Sequence, residues 1–239
     1  MAGRQHRNIM VVGASGSGKS HFVDHSLLPE MLDRTRYLVV INTTRELSRH
    51  CRHSEYVGEE QQARTYSPEK LAALIRHHGR VHFECAAGEN VTAFLEALGK
   101  AIWLLGQYET EFTEVLVVID ESHLFLPKRA MPKAFARLET EGRKFGIDLI
   151  KITQTLQSST GDTISHLAIK QVNVVVIFAL ADYNDCQRIV KLFNGVPDPS
   201  TLQRPENGRP GEYIVRDCSR GRNSVQKLGP DGRLRAHAA

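Results

Sequence analysis

Short runs of apolar and β-branched residues recur along the chain, at 8–12, 37–41, 81–85, 115–119, 147–153 and 172–179. Most are nearly continuous rather than alternating, and a strand without a polar face must be covered on both sides. Between them, at 19–32, 68–77, 90–107, 131–145, 162–169 and 182–193, apolar residues return at the three- and four-residue spacing of helices with one buried face. Strands alternating with helices predict an α/β fold, a mainly parallel central sheet with helices on both faces. Past residue 195 the pattern changes: Pro197, Pro199, Pro205 and Pro210 fall among glycines, and a small hairpin is expected from 212–216 and 224–228. Residues from Gly229 onward read as a disordered tail, so 1–228 is expected as one domain and 229–239 as its tail.

Composition narrows the class. Of 239 residues 41% are hydrophobic and 24% charged, proportions that exclude a disordered or collagenous chain and allow a large core without staples. The four cysteines are scattered without a CxxC pair, which argues against a disulfide framework or zinc ribbon and fits a reducing, intracellular setting. The N-terminal apolar run, 9–12, is too short for a signal peptide, and the longest one, 172–181, contains Asn173 and falls short of a membrane span. Thirty-one basic against 27 acidic residues give +4, a balance that permits a polyanionic partner without demanding one.

The first strand runs into Gly13-Ala14-Ser15-Gly16-Ser17-Gly18-Lys19-Ser20, the pattern G-x-x-x-x-G-K-[ST], and a helical segment follows. Glycines let backbone N–H groups curl around phosphates at a helix start, Lys19 would reach the β- and γ-phosphates, and the Ser20 hydroxyl would bind Mg2+. ATP chemistry also needs a carboxylate for the metal shell and a base for water. The buried strand 115–119 ends in Asp120-Glu121, which suits Asp120 to the magnesium and Glu121 to the water. The strand 147–153 ends at Thr153-Gln154, where the amide of Gln154 can contact the γ-phosphate or the lytic water.

With GASGSGKS, VLVVIDESHLFLP and the run EGRKFGI leading into ITQ, the chain resembles the FtsK/HerA superfamily of P-loop motor ATPases over about residues 8–216. The resemblance implies a RecA-like core that hydrolyses ATP as a ring, usually a hexamer, with double-stranded DNA in its channel. It also implies nucleotide held between subunits and an arginine reaching in from the neighbour. Arg143 matches that arginine, and Lys144 and Arg137 are the fallbacks. After Gln154 stands Thr155-Leu156-Gln157, where many relatives carry Arg-Pro-Ser. With the P-loop at Gly13 and no evident winged helix, the chain is most similar to the minimal genome-packaging ATPases of tailless, membrane-containing double-stranded DNA viruses. The expected setting is then the host cytoplasm with virion association, and a capsid or membrane vertex protein as docking partner. A HerA-like or conjugation-type DNA pump is the alternative within the class. A nucleotide-dependent assembly switch that never touches DNA is the alternative outside it.

A channel loop must grip phosphates without reading bases. Lys128, Arg129 and Lys133 lie between and beside Pro127 and Pro132 just after Glu121, and Arg216, Arg220 and Arg222 form a second basic group. A solvated loop accounts equally for either. His50, Cys51 and His53, and His77, His78, His82 and Cys85, lack the paired spacing of a zinc site. Trp103 is expected in the core rather than as a base-stacking platform.

Overall fold

A computed structural model describes residues 6–58, 66–86, 91–107, 113–127, 129–156, 164–206, 211–228 and 234–235. Its strands are β1 (Asn8–Val12), β2 (Thr35–Asn42), β3 (His53–Val57), β4 (Arg80–Cys85), β5 (Thr113–Ile119), β6 (Ile147–Thr153), β7 (Val174–Phe178), β8 (Glu212–Asp217), β9 (Arg222–Leu228) and β10 (Leu234–Arg235). They form one sheet in the order β10-β9-β8-β7-β1-β6-β5-β2-β4-β3. From β7 to β3 every pairing is parallel, and β8, β9 and β10 extend the β7 edge as antiparallel strands. Every residue of β1, β5 and β6 is buried.

The near-continuous apolar runs have the cause expected of them. In β1, Met10 and Val12 join a core on one face with Phe94, Leu98 and Ile102, while Ile9 and Val11 join a core on the other with Phe22 and Leu28. Alternate residues of one strand therefore feed opposite layers, and both layers are apolar.

The helical rod after β1 is composite: α1 (Lys19–Phe22), a π-helical stretch Val23–Leu27, and α2 (Leu28–Leu32). Then come α3 (Pro68–His78), α4 (Thr92–Leu105), α5 (Ser122–Phe125), α6 (Lys133–Glu141), α7 (His166–Lys170) and α8 (Tyr183–Leu192). Two ends show their chemistry. Ser67 accepts from the Lys70 N–H with Pro68 at the first turn of α3, and Asp182 accepts from the Asp185 N–H at the start of α8.

The structure departs from the sequence pattern in a few places. The edge strand β3 reads His-Ser-Glu-Tyr-Val and buries only its last residue, so it has no apolar run to announce it. The segment 131–145 is α6 followed by a 3-10 turn, Gly142–Phe145, because the left-handed Gly146 stops the helix ahead of β6. Residues 162–163 of the helix expected at 162–169 lie outside the described residues. So does the expected tail, apart from Leu234 and Arg235, which pair with Leu228 and Lys227. No helix among the described residues is long and apolar enough to cross a membrane.

This topology positions the site. β6 lies between β1 and β5, with Val12 opposite Thr153 and Ile119 opposite Lys151. The loops that follow all three strands therefore emerge side by side at one edge, where open α/β sheets bind ligands.

Candidate functional site

The loop after β1 is pinned before it turns. Gly13 N–H donates to the Thr153 carbonyl (3.3 Å) and Ala14 N–H to the Ala179 carbonyl (2.9 Å), tying the loop to β6 and β7. A Cβ at Gly13 would lie 2.5 Å from the Phe178 Cβ and 2.8 Å from the Ser17 Oγ, so only glycine allows this approach. Gly16 (φ 71°) and Gly18 (φ 99°) take the left-handed conformations that turn the chain into α1. Lys19 Nζ donates to the Ala14 carbonyl at 2.8 Å, closing the loop on itself. Burial pulls the Lys19 ammonium below its ordinary range, against the charges of Glu121 and Asp120, which raise it.

Ser15, Gly16, Gly18, Lys19 and Ser20 line one wall of a cleft of about 340 Å³, and Asp120, Glu121 and Gln154 line the other. The sequence motifs named for phosphate, metal and water are thus brought together at the ends of three adjacent strands. Asp120 is buried. Its carboxyl is pushed up to about 6, chiefly by burial and next by the charge of Glu121, while the Glu121 N–H donates to its Oδ1 at 2.9 Å.

Glu121 is the only described non-glycine residue with positive φ (48°). A left-handed glutamate costs about 1 kcal/mol or more and persists only where its surroundings hold it. The hold is visible: Gln154 Nε2 donates to Glu121 Oε1, and His123 Nδ1 lies 3.4 Å from Glu121 Oε2.

Besides His21 of α1, sequence reasoning did not single out Asn42, Thr43, Thr44 and Glu46, which also line the cleft. Asn42 ends β2, which pairs with β5, and Thr43, Thr44 and Glu46 follow it; Asn42 Oδ1 accepts from the Thr44 N–H at 3.1 Å. Their signal was a polar run, Asn42 to Glu46, at the end of a buried strand. His123, also unanticipated, stands two positions after Glu121 in the quoted motif.

The other expected residues lie elsewhere. Arg143 and Lys144 are exposed on the turn before β6, at the opposite end of that strand from Gln154; seven residues of strand separate them by about 23 Å. Arg137 stacks over Trp103, its Cζ 3.9 Å from the ring centroid, and its Nε is 3.4 Å from Glu141 Oε2. Trp103 is only partly buried, at the margin of the core against Phe145. Arg129 and Lys133 are exposed around the start of α6, and Lys128 lies outside the described residues. Arg216 donates to the Gly221 carbonyl and to Asn223 within its hairpin, and Arg220 faces Asp217.

Burial pushes the Cys51 and Cys85 thiols up to about 12, away from the thiolate that a metal would need. His53 stacks on His78, and His50 Nε2 lies 2.6 Å from Asp24. Among the described residues no three His, Cys, Asp or Glu side chains are arranged to hold a metal ion.

No protein-family model matches the chain, and no curated protein matches it. Solved structures do. The genome-packaging NTPase B204 of Sulfolobus turreted icosahedral virus 2, in complex with ATP-γS, superimposes with a TM-score of 0.66 at 18% identity, over 91% of this chain and 94% of that one. B204 of Sulfolobus turreted icosahedral virus, described as a DNA-packaging ATPase, gives 0.63 at 16% identity over 92% and 98%. ATPases 2 and 3 of EssC from Geobacillus thermodenitrificans give 0.55 at 14% identity, covering 94% of this chain and 40% of that one. The fold is that of these P-loop ATPases, which bears out the sequence resemblance at the level of architecture.

Proposed function

We propose that this chain hydrolyses ATP in order to move double-stranded DNA, as a viral genome-packaging motor acting in a ring. The observation that carries the reading is the cleft itself. A phosphate-binding loop, an Asp-Glu pair whose aspartate is buried, and a strand-tip glutamine converge at one sheet edge, in a fold shared along nearly its whole length with a packaging NTPase bound to an ATP analogue.

In this reading the backbone of Gly13 to Gly18 cradles the phosphates, and Lys19 leaves the Ala14 carbonyl to meet their charge. Ser20 and Asp120 fit Mg2+: both offer oxygen donors to one cleft, and the ionisation of Asp120 is opposed by burial and Glu121, a cost that a cation would offset. Ser20 and Asp120 would hold the ion, which would supply positive charge to offset the charge developing on the transferring phosphoryl group. Glu121 accepts the proton of the attacking water while Gln154, already bonded to its carboxylate, orients it.

Arg143 stands too far from its own chain's cleft to act there. Its exposed place at the other end of β6 suits a neighbour's cleft, which is the geometry of a ring with nucleotide at the interfaces. Arg129, exposed ahead of α6, and Lys133, exposed at its first position, are the described candidates for a DNA grip, and Lys128, next to Arg129 in sequence, lies outside the described residues. The host cytoplasm, virion association and a capsid or membrane vertex protein complete the proposal.

The test is the steady-state ATPase rate with and without long linear double-stranded DNA across a salt series. Stimulation that fades as salt rises is expected, because each phosphate contact releases counterions. A rate indifferent to DNA at every salt would overturn the DNA-motor reading. It would favour a protein-partnered ATPase.

A further inference from the structure

The Glu121 carboxylate has two oxygens, and the catalytic reading above uses a partner for only one. Oε1 accepts from Gln154. Oε2 is buried and makes no hydrogen bond of ordinary length, but His123 Nδ1 stands 3.4 Å away. That imidazole does not line the nucleotide cleft.

The protonation of His123 follows from its other neighbour. Thr153 Oγ1 lies 3.2 Å from His123 Nδ1 and donates its own proton to the Thr155 carbonyl at 2.7 Å. A hydroxyl that has spent its only proton can only accept. The His123 Nδ1 therefore carries the hydrogen and directs it between Thr153 Oγ1 and Glu121 Oε2. Thr153 is a rigid anchor: it is fully buried, and its carbonyl accepts the Gly13 N–H that begins the phosphate loop. The backbone cooperates, since the left-handed Glu121 starts the short helix α5 that turns His123 back over the tip of β6.

We infer that His123 is a positioning residue for Glu121: its Nδ1–H, steadied by Thr153, holds Oε2 while Gln154 holds Oε1, so the carboxylate is aimed from both sides. The inference rests on Glu121 being the base that accepts the proton of water. His123 stands behind the cleft lining and acts only through that carboxylate. Without it, Gln154 alone sets the carboxylate, which can then swing about its one remaining contact.

Two substitutions separate this role from simple packing. Alanine removes the donor, whereas asparagine places an amide N–H at the same distance along the side chain as Nδ1. His123→Ala is expected to lower kcat about 10- to 100-fold, the usual cost of a displaced catalytic group, with KM for ATP and nucleotide affinity changed by no more than about twofold. His123→Asn is expected to recover most of that loss, while the two variants melt at the same temperature. The inference is overturned if His123→Ala turns over at the wild-type rate. It is equally overturned if His123→Asn is as slow as His123→Ala, or if the loss lies in nucleotide affinity rather than kcat. A wild-type chain that does not hydrolyse ATP would overturn the reading of Glu121 and this inference together, whereas a normal wild-type rate matched by His123→Ala overturns this inference alone.

Discussion

Asp120 carries a cost in the folded chain that its unfolded counterpart does not. Burial, and then the charge of Glu121, hold its carboxyl up to about 6 against an ordinary 3.8, so the folded chain binds that proton more tightly than the unfolded one. Stability from this group is therefore lost as pH rises from about 4 to about 6, and the full penalty, on the order of 2–3 kcal/mol, stands at neutral pH. Asp120→Asn keeps an oxygen for the Glu121 N–H and removes the charge. In magnesium- and nucleotide-free buffer at pH 7 it is expected to raise the melting temperature, with the difference from wild type vanishing near pH 4, while ATP turnover collapses. Equal melting curves at pH 7 would refute the assigned burden. Such a residue was legible in sequence because its role lies in local order: a phosphate loop after one strand and an acidic pair after another are read along the chain. His123, Asn42 and Glu46 were not singled out, because their part in the site is set by which strands lie side by side, and adjacency of β2, β5 and β6 is a tertiary fact.

At the scale of elements, the apolar strands were legible because burial on both faces leaves no polar position to blur the pattern. Lys151 breaks that pattern in the middle of β6, and the structure supplies its reason. Its ammonium is wholly buried between both oxygens of Glu139 on α6, each at 2.8 Å, and the carbonyl of Ala168 on α7. Asn8 on β1 donates to the same Glu139 carboxylate at 2.8 Å. Burial still draws the Lys151 ammonium below its ordinary range, opposed by Glu139, so the pair tolerates its setting only intact. One buried network thus fastens the helix that follows the basic loop to the strand that carries Gln154. Removing one partner strands the other charge: Lys151→Ala or Glu139→Ala is expected to cost about 3–5 kcal/mol in urea unfolding, whereas Lys151→Met with Glu139→Leu together should cost much less. Additive losses in the double variant would show that packing, not charge pairing, is what these side chains contribute.

For the whole molecule, the decisive geometry is the separation of Arg143 from Gln154 by the length of β6. The chain places an exposed arginine at one end of its strands and the candidate nucleotide cleft at the other, so a head-to-tail contact between copies would bring one to the other, as the proposed ring requires. The proposed ring would take Glu121 from one subunit and Arg143 from the next, and this can be read by mixing. Glu121→Gln should bind ATP and turn it over at about a hundredth of the wild-type rate or less, for want of its base. Arg143→Ala should be at least as impaired, for want of charge stabilisation at the γ-phosphate. Assembled together from equal amounts, random neighbours place an intact Glu121 beside an intact Arg143 at about one interface in four, so the mixture should regain about a quarter of the wild-type rate if sites act independently. An arginine acting within its own chain predicts a different result, because every chain would then lack one of the two groups. A mixture no faster than the mean of the two variants alone would therefore remove Arg143 from the neighbour's site, and an Arg143→Ala variant of normal rate would remove it from catalysis altogether.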